Sequence, residues 1–170
     1  GEYKLVTEHL SVGATLPVFA PICADLKDKF AYPVVNMTVA EAYTTGDANL
    51  SIKVAKGSLA YNGMFVGNGS KGAEVTAVDT TNSEYDTITI NAAFGANLPK
   101  GTVLFEAKTV SGTAQKYIAN SALFNKTKVD DGIVLVALLR TAAEIEPSKL
   151  AIPFSANDKA NMKGWFEFNE

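Results

Sequence analysis

Residues 72–90 read GAEVTAVDTTNSEYDTITI, and this stretch decides the fold class. Its first half alternates in side-chain type, which predicts a strand with Val75 and Ala77 on the same face. After a polar segment typical of a hairpin loop, Ile88 and Ile90 mark the apolar face of a second strand. The stretch therefore predicts an antiparallel β-hairpin.

Similar strand signals recur on both sides of this hairpin, separated by glycine- and proline-containing turns. The further segments predicted as strands are residues 34–39, 51–54, 59–66, 103–107, 133–140 and 165–168. Strands spaced in this way indicate a mostly β fold, either an antiparallel β-sandwich or a small barrel. Residues 133–140 are apolar at every position before Arg140, so we expect that strand to be buried on both faces.

One short helix is predicted near the C-terminus. Ser155 is a typical N-cap, Asp158 stands three residues later as its capping-box partner, and Gly164 stops the helix after about residue 163. The aromatic residues 165–168 that follow are expected to dock on the core.

The N-terminal residues 1–33 show no clear period, and their prolines discourage a helix. We expect an irregular, extended arm here, followed by a β domain over residues 34–170. The apolar residues of the arm have to be covered, either by the protein's own core or by a neighbouring subunit. They are the candidate partner contacts: Leu16, Pro17, Val18, Phe19, Pro21 and Ile22.

Charge and composition argue against nucleic-acid and membrane partners. The formal net charge is −3, and Arg140 is the single arginine. A nucleic-acid interface requires a basic surface, usually rich in arginine. No apolar run approaches the roughly 20 residues of a membrane-spanning helix. Cys23 is expected to be a small core residue, because its acidic neighbours Asp25 and Asp28 disfavour a reactive thiolate.

The residue types that carry catalysis are sparse, so we predict no catalytic, cofactor or metal site and no enzymatic activity. His9 is the only histidine, and no G-x-S-x-G motif accompanies it. The glycine-rich residues 67–72 lack the G-K-[ST] order of a phosphate loop. The adjacent acids Asp130 and Asp131 do not match a calcium loop, and we interpret them as an ordinary turn.

The middle and end of the chain resemble a known family of phage proteins. The phrases that carry the resemblance are GAEVTAVD at 72–79, YDTITI at 85–90, GTVLFEA at 101–107, IPF at 152–154 and WFEF at 165–168. Their succession is similar to phage head fibre or head decoration proteins of tailed phages and prophages of gut Bacteroidetes. The resemblance covers residues 34–168, and the N-terminal arm adds nothing to it.

The resemblance implies a structural virion protein on the outer surface of a phage capsid. Such a protein is made in the bacterial cytoplasm, binds the capsid shell and is expected to be a homotrimer. It stabilises the head or attaches it to surfaces. The alternative is a carbohydrate-binding or adhesin-type β module of a bacterial surface protein, for which Tyr61, Tyr85 and Tyr117 are candidate sugar-stacking residues.

Overall fold

The computed structural model describes residues 1–169 and contains two compact units. The first combines Gly1–Val34 with the C-terminal segment that begins at Tyr117, and we call it the barrel unit. The second is continuous over Val35–Lys116, and we call it the sheet unit. This grouping differs from the predicted division into residues 1–33 and 34–170, because the C-terminal third of the chain belongs with the N-terminal residues.

Over the described residues 1–169, fifteen strands, one α-helix and one 3-10 helix make up the regular structure. The strands of the barrel unit are β1 (Glu2–Leu5), β2 (Thr15–Leu16), β3 (Pro21–Asp25), β4 (Phe30–Pro33), β11 (Ser121–Leu123), β12 (Thr127–Lys128), β13 (Leu135–Leu139), β14 (Ala142–Ile145) and β15 (Phe166–Phe168). Those of the sheet unit are β5 (Asn36–Thr38), β6 (Ser51–Ala55), β7 (Phe65–Gly67), β8 (Gly72–Asp79), β9 (Tyr85–Ile90) and β10 (Val103–Ala107). A 3-10 helix (Pro147–Lys149) and helix α1 (Ala156–Asn161) complete the barrel unit. The mostly β class, the small barrel and the single short C-terminal helix are confirmed.

Five strands of the barrel unit close into a barrel in the order β1-β13-β11-β3-β4. Its closing pair is parallel, with Lys4 of β1 opposite Phe30 of β4. Two further pairs, β2 with β12 and β14 with β15, lie outside the barrel.

The irregular arm predicted for residues 1–33 is not what the structure contains, because these residues supply β1 to β4. The prolines are compatible with strands at the places where they fall: Pro21 begins β3 and Pro33 ends β4. Distant residues complete the pairing. The Asn120 side chain accepts from Ala24 N at 2.9 Å and donates to Ala24 O at 2.9 Å. Because the bonded residues are 96 positions apart in the sequence, such contacts produce no local periodicity.

The sheet unit is a six-stranded sheet in the order β5-β10-β7-β8-β9-β6. Its end strands approach each other through a bridge between Val39 and Val54, next to which Ala40 N donates to Lys53 O at 2.9 Å. The predicted hairpin is the β8–β9 pair, with Val78 opposite Ile88. Fully buried apolar side chains line the inner face, among them Ile52, Val54, Val66, Val75, Ile88, Leu98 and Leu104.

A register shift in β8 changes the face of its second half. Val75 lies opposite Ile90 and is fully buried, whereas Ala77 lies opposite Thr89 and is exposed. The prediction that Val75 and Ala77 share a face is therefore wrong. A bulge inserts one extra residue and inverts the alternation beyond it.

The glycine-rich turn between β7 and β8 is a site of close backbone packing. A Cβ on Gly67 would lie 2.4 Å from the carbonyl oxygen of Gly112, and one on Gly72 would lie 2.6 Å from the Gly112 Cα. Gly69 N also donates to Gly112 O at 2.9 Å. Because glycine has no Cβ, these residues allow a second backbone segment to pack closely against the turn. This packing explains the glycine content of the turn without a phosphate ligand.

Helix α1 has the predicted capping box. Ser155 Oγ accepts from Asp158 N at 3.1 Å, and Asp158 Oδ2 accepts from Ser155 N at 2.9 Å. The second oxygen, Asp158 Oδ1, accepts from Ala119 N at 2.7 Å, so a single buried carboxylate joins the helix start to the segment before β11. The helix ends at Asn161, slightly earlier than predicted.

Candidate assembly surface

Strand β13 and the two residues before it expose three of their seven apolar side chains. Val134 and Val136 point inward and are 7% and 3% exposed. Ile133 and Leu135 alternate with them and are 72% and 55% exposed, and Ala137 is exposed as well. The prediction that this strand is buried on both faces is wrong: the barrel covers its inner face alone.

Phe124, the residue that follows β11, widens the exposed apolar surface of β13. Phe124 N donates to Ala137 O at 3.0 Å, which continues the antiparallel register of β11 and β13 by one pair. Side chains of directly opposed residues lie on the same face of a sheet, about 5 Å apart. Phe124 is 51% exposed, so its ring lies beside Ala137 on the outside of the barrel. We call Phe124, Ile133, Leu135 and Ala137 the apolar face.

Charged side chains border the apolar face on its other side. Strand β1 pairs with β13 so that Glu2 lies opposite Ala137 and Lys4 opposite Leu135, and both charged residues are exposed. An apolar centre with a polar, charged border is the usual anatomy of a protein–protein interface.

Exposed large apolar side chains are concentrated in the barrel unit. Among the described residues, the sheet unit exposes Val110 alone. The barrel unit exposes eight: Val12, Val18, Leu26, Ile118, Phe124, Ile133, Leu135 and Trp165. A single exposed apolar residue is ordinary on a protein surface, whereas a contiguous group marks an interaction site.

The six N-terminal residues predicted as partner contacts are divided by the fold. Leu16, Pro21 and Ile22 are buried within the barrel unit and cannot reach a partner from the folded protein. Pro17 and Phe19 are half-buried. Val18 remains exposed at 53%, at the centre of a turn closed by Ala20 N and Pro17 O at 3.3 Å.

Packing against the C-terminal strand holds the backbone of Phe19 in the left-handed region. Its φ is +66°, a conformation that a bulky side chain rarely adopts. The Phe19 ring lies edge-on to Phe166, with ring centroids 6.5 Å apart. This contact anchors the turn and leaves Val18 at its tip.

The three candidate sugar-stacking tyrosines lie in different surroundings. Tyr117 stacks on Tyr32 at 4.9 Å between centroids, so a neighbouring ring already occupies one of its faces. Tyr61 donates a hydrogen bond to the Glu106 carboxylate, which also accepts from Lys116 Nζ at 2.8 Å. Burial and the bond to Glu106 raise the pKa of Tyr61 to about 12.

Tyr85 is the remaining candidate, and one face of its ring is in contact with a cation. Lys53 Nζ lies 4.6 Å from the ring centroid and 2.8 Å from Glu41 Oε2. The hydrogen bond to Glu41 raises the pKa of the Lys53 ammonium, which favours its charged form. The next residue, Asp86, is buried and accepts from Lys56 Nζ, Gly57 N and Ser58 N at 2.9, 3.1 and 3.0 Å. These hydrogen bonds connect β9 to the turn after β6 and stabilise the fold.

The remaining titratable residues form no recognisable reaction centre in the described part of the chain. His9 is exposed and lies 4.0 Å from Glu8. Burial raises the pKa of the Cys23 thiol, which disfavours a reactive thiolate. Over residues 1–169, no group of three or more His, Cys, Asp or Glu residues is arranged to hold a metal ion. Nor does any helix in this range have the length and apolar character to cross a membrane.

The fold and its apolar face define the class of a mostly β protein with a surface suited to assembly. Residues 1–167 match the family model of the head fiber protein. The chain therefore belongs to the head fiber protein family, a family of structural phage virion proteins. The match includes the N-terminal residues, which the resemblance noted from the sequence did not. No curated protein and no solved structure matches the chain.

Proposed function

We propose that this protein is a non-enzymatic component of the outer surface of a phage head, where it stabilises the shell or attaches the head to surfaces. It is synthesised in the bacterial cytoplasm and becomes part of the virion. The family assignment supports a role in the virion, and the apolar face of the barrel unit supports assembly with other chains. The alternative, a module of a bacterial surface protein, lacks comparable support from the family.

The occupant we propose for the apolar face is a second copy of this chain, within a homotrimer. The charged residues that border the apolar face support this choice of partner. Glu2 and Lys4 have opposite charge, are two residues apart and flank the same apolar residues. Copies that bring their apolar faces together can place Glu2 of one chain against Lys4 of the next. Such complementarity favours self-association over binding to a surface of one sign.

The single observation that carries this proposal is the exposure of Leu135, at 55%, at the start of the apolar strand β13. The test is the solution mass of the chain by light scattering. We expect a trimer for the unaltered protein and a monomer for Leu135→Asp, because each interface would then bury an unpaired carboxylate. Leu135 already faces solvent within one chain, so the variant should fold normally.

Val110→Asp is the matched control, since it places the same charge at a residue of the sheet unit that is 49% exposed. It should remain a trimer with an unchanged circular dichroism spectrum. A monomeric wild-type protein, or a Leu135→Asp variant that still forms trimers, would contradict self-association through the apolar face.

Placement on the outside of the head requires a separate experiment. Gold-labelled antibodies raised against the purified chain should decorate intact phage heads in electron micrographs. Labelling confined to disrupted heads would refute the outer position.

We further propose that the turn carrying Val18 contacts the shell, because Val18 alone of the six predicted contact residues is exposed, at 53%. Val18→Asp should weaken binding of the purified chain to heads that lack it. Unchanged binding of this variant would remove the turn from the contact.

A further inference from the structure

A surface groove of about 460 Å³ lies within the sheet unit, beside the ends of β6 and β9. Its lining includes Thr38, Glu41, Ala55, Glu84, Tyr85 and Lys100. Grooves of roughly 300–1,000 Å³ are the usual size for small-ligand sites in proteins. We call it the Tyr85 groove.

The groove exists because Tyr85 has a small partner across the strand pair. Tyr85 of β9 lies opposite Ala55 of β6, whose single methyl group cannot cover an aromatic ring. Lys53, whose Nζ lies 4.6 Å from the centroid of the ring, lines a neighbouring groove of about 280 Å³. The ring thus contacts an ammonium group and also lines the larger groove.

The charges around the Tyr85 groove balance. Glu41 is paired with Lys53 and Lys56 with Asp86, at 2.8 and 2.9 Å. Glu84 and Lys100, both exposed and of opposite sign, also line the groove. Such a lining has no net attraction for an anion or a cation, but it offers both hydrogen-bond donors and acceptors.

We propose that the Tyr85 groove binds a neutral oligosaccharide. The hydroxyl groups of a sugar both donate and accept, which matches the Glu84 carboxylate and the Lys100 ammonium. The C–H face of a sugar ring is apolar and flat, which matches the aromatic side chain of Tyr85 in the lining of the groove. The contact between the Tyr85 ring and Lys53 favours one orientation of the aromatic surface, so less side-chain freedom is lost on binding. This site does not depend on the trimer or on the position of the chain on the head.

The experiment is electrophoresis of the native full-length chain through gels that contain a dissolved polysaccharide. The neutral probes are mannan, xylan and arabinogalactan, and the anionic probe is polygalacturonate. We expect at least one neutral probe to retard the protein and polygalacturonate to have no effect. Retardation should persist when the salt concentration is raised about tenfold, since screening does not weaken contacts to an uncharged ligand.

Two variants test the groove itself. Tyr85→Ala removes the stacking surface and should weaken binding by at least about tenfold. Ala55→Ile fills the groove next to the ring and should weaken binding similarly, while a β-branched residue remains compatible with β6. Ala77→Ile is the matched control, because it adds the same atoms to an exposed position of β8 that does not line the groove.

Retention of binding in Ala77→Ile together with its loss in Ala55→Ile would support the site, even if Tyr85→Ala failed to fold. The proposal is overturned if none of the three neutral polysaccharides retards the protein. It is equally overturned if only polygalacturonate does so, or if Ala55→Ile binds as the wild-type protein does.

Discussion

Strands β9 and β13 belong to different units, and in both of them inward-facing side chains alternate with outward-facing ones. The two strands differ in the character of their outward-facing side chains. In β9 the inner positions are the buried Asp86, Ile88 and Ile90, and the outer positions are tyrosine and threonine. In β13 the inner Val136 is buried as well, but the outer positions are the exposed Leu135 and Ala137. A strand with one buried face needs no covering layer on its other face when the side chains of that face are polar. When that face is apolar, its contact with water is unfavourable until another chain covers it.

The sharpest test of this contrast is to shorten one side chain from each strand. Ile88→Ala removes fully buried atoms and leaves a cavity, so it should lower the free energy of unfolding by about 4 kcal/mol at any protein concentration. Leu135→Ala removes atoms that face solvent within one chain and should cost less than about 0.5 kcal/mol in the monomer.

Chemical denaturation followed by circular dichroism at several protein concentrations measures both effects. If Leu135 lies at a contact between copies, the effect of Leu135→Ala should grow with concentration, because association stabilises the folded state by mass action. A loss as large as that of Ile88→Ala at the lowest concentration would show that the apolar face is part of the core.

The barrel unit should depend more on a buried carboxylate than on its N-cap alone. Asp158→Ala leaves the backbone N–H groups of Ala119 and Ser155 without their acceptor and should cost about 3 kcal/mol. Ser155→Ala removes a single capping bond and should cost about 1 kcal/mol.

Fluorescence of Trp165, the chain's single tryptophan, reports unfolding of the barrel unit during the same denaturation. Equal costs for the Asp158→Ala and Ser155→Ala variants would mean that the bond from Ala119 N contributes nothing to the stability of this unit.

A further effect, smaller than that of Asp158→Ala, concerns the sheet unit at alkaline pH. An unfolded tyrosine loses its proton near pH 10, whereas the pKa of Tyr61 in the folded chain is about 12. Between these values the folded state binds more protons, so stability is fully present below about pH 10 and falls as the pH rises towards 12. Because Tyr61 is only half-buried, the loss should be about 1 kcal/mol.

Thermal melting of the wild-type protein and Tyr61→Phe at pH 9 to 12 checks this effect. The hydrogen bond to Glu106 also raises the pKa of Lys116, against the opposing effect of burial, and that group acts in both proteins. The difference between the two curves therefore reports the proton of Tyr61 together with the smaller effect of Tyr61 on the pKa of Lys116. Parallel curves would show that the proton of Tyr61 contributes nothing to folding.

Local features of the fold were predictable because their causes are local. The hairpin of β8 and β9 follows from alternation around a polar loop, and the Ser155–Asp158 capping box follows from two residues three positions apart. The bulge that turns Ala77 outward was missed, because one extra residue in a strand leaves no mark in its composition. Of the candidate contacts, Val18 was within reach of sequence reasoning, whereas Phe124 showed no signal of its own.

The sequence by itself determined that the chain is mostly β, where most strands of the sheet unit lie and how the C-terminal helix begins. These properties depend on side-chain period and on hydrogen bonds between near neighbours. Only the tertiary structure decided that residues 1–33 belong to a barrel and that Leu135 faces outward. Both depend on strands far apart in the chain, such as β1 against β13, and on whether a further layer covers the sheet. The sequence of an apolar strand does not show whether its outer face is covered by its own chain or by another chain. In β13, the outer face is left exposed by its own chain.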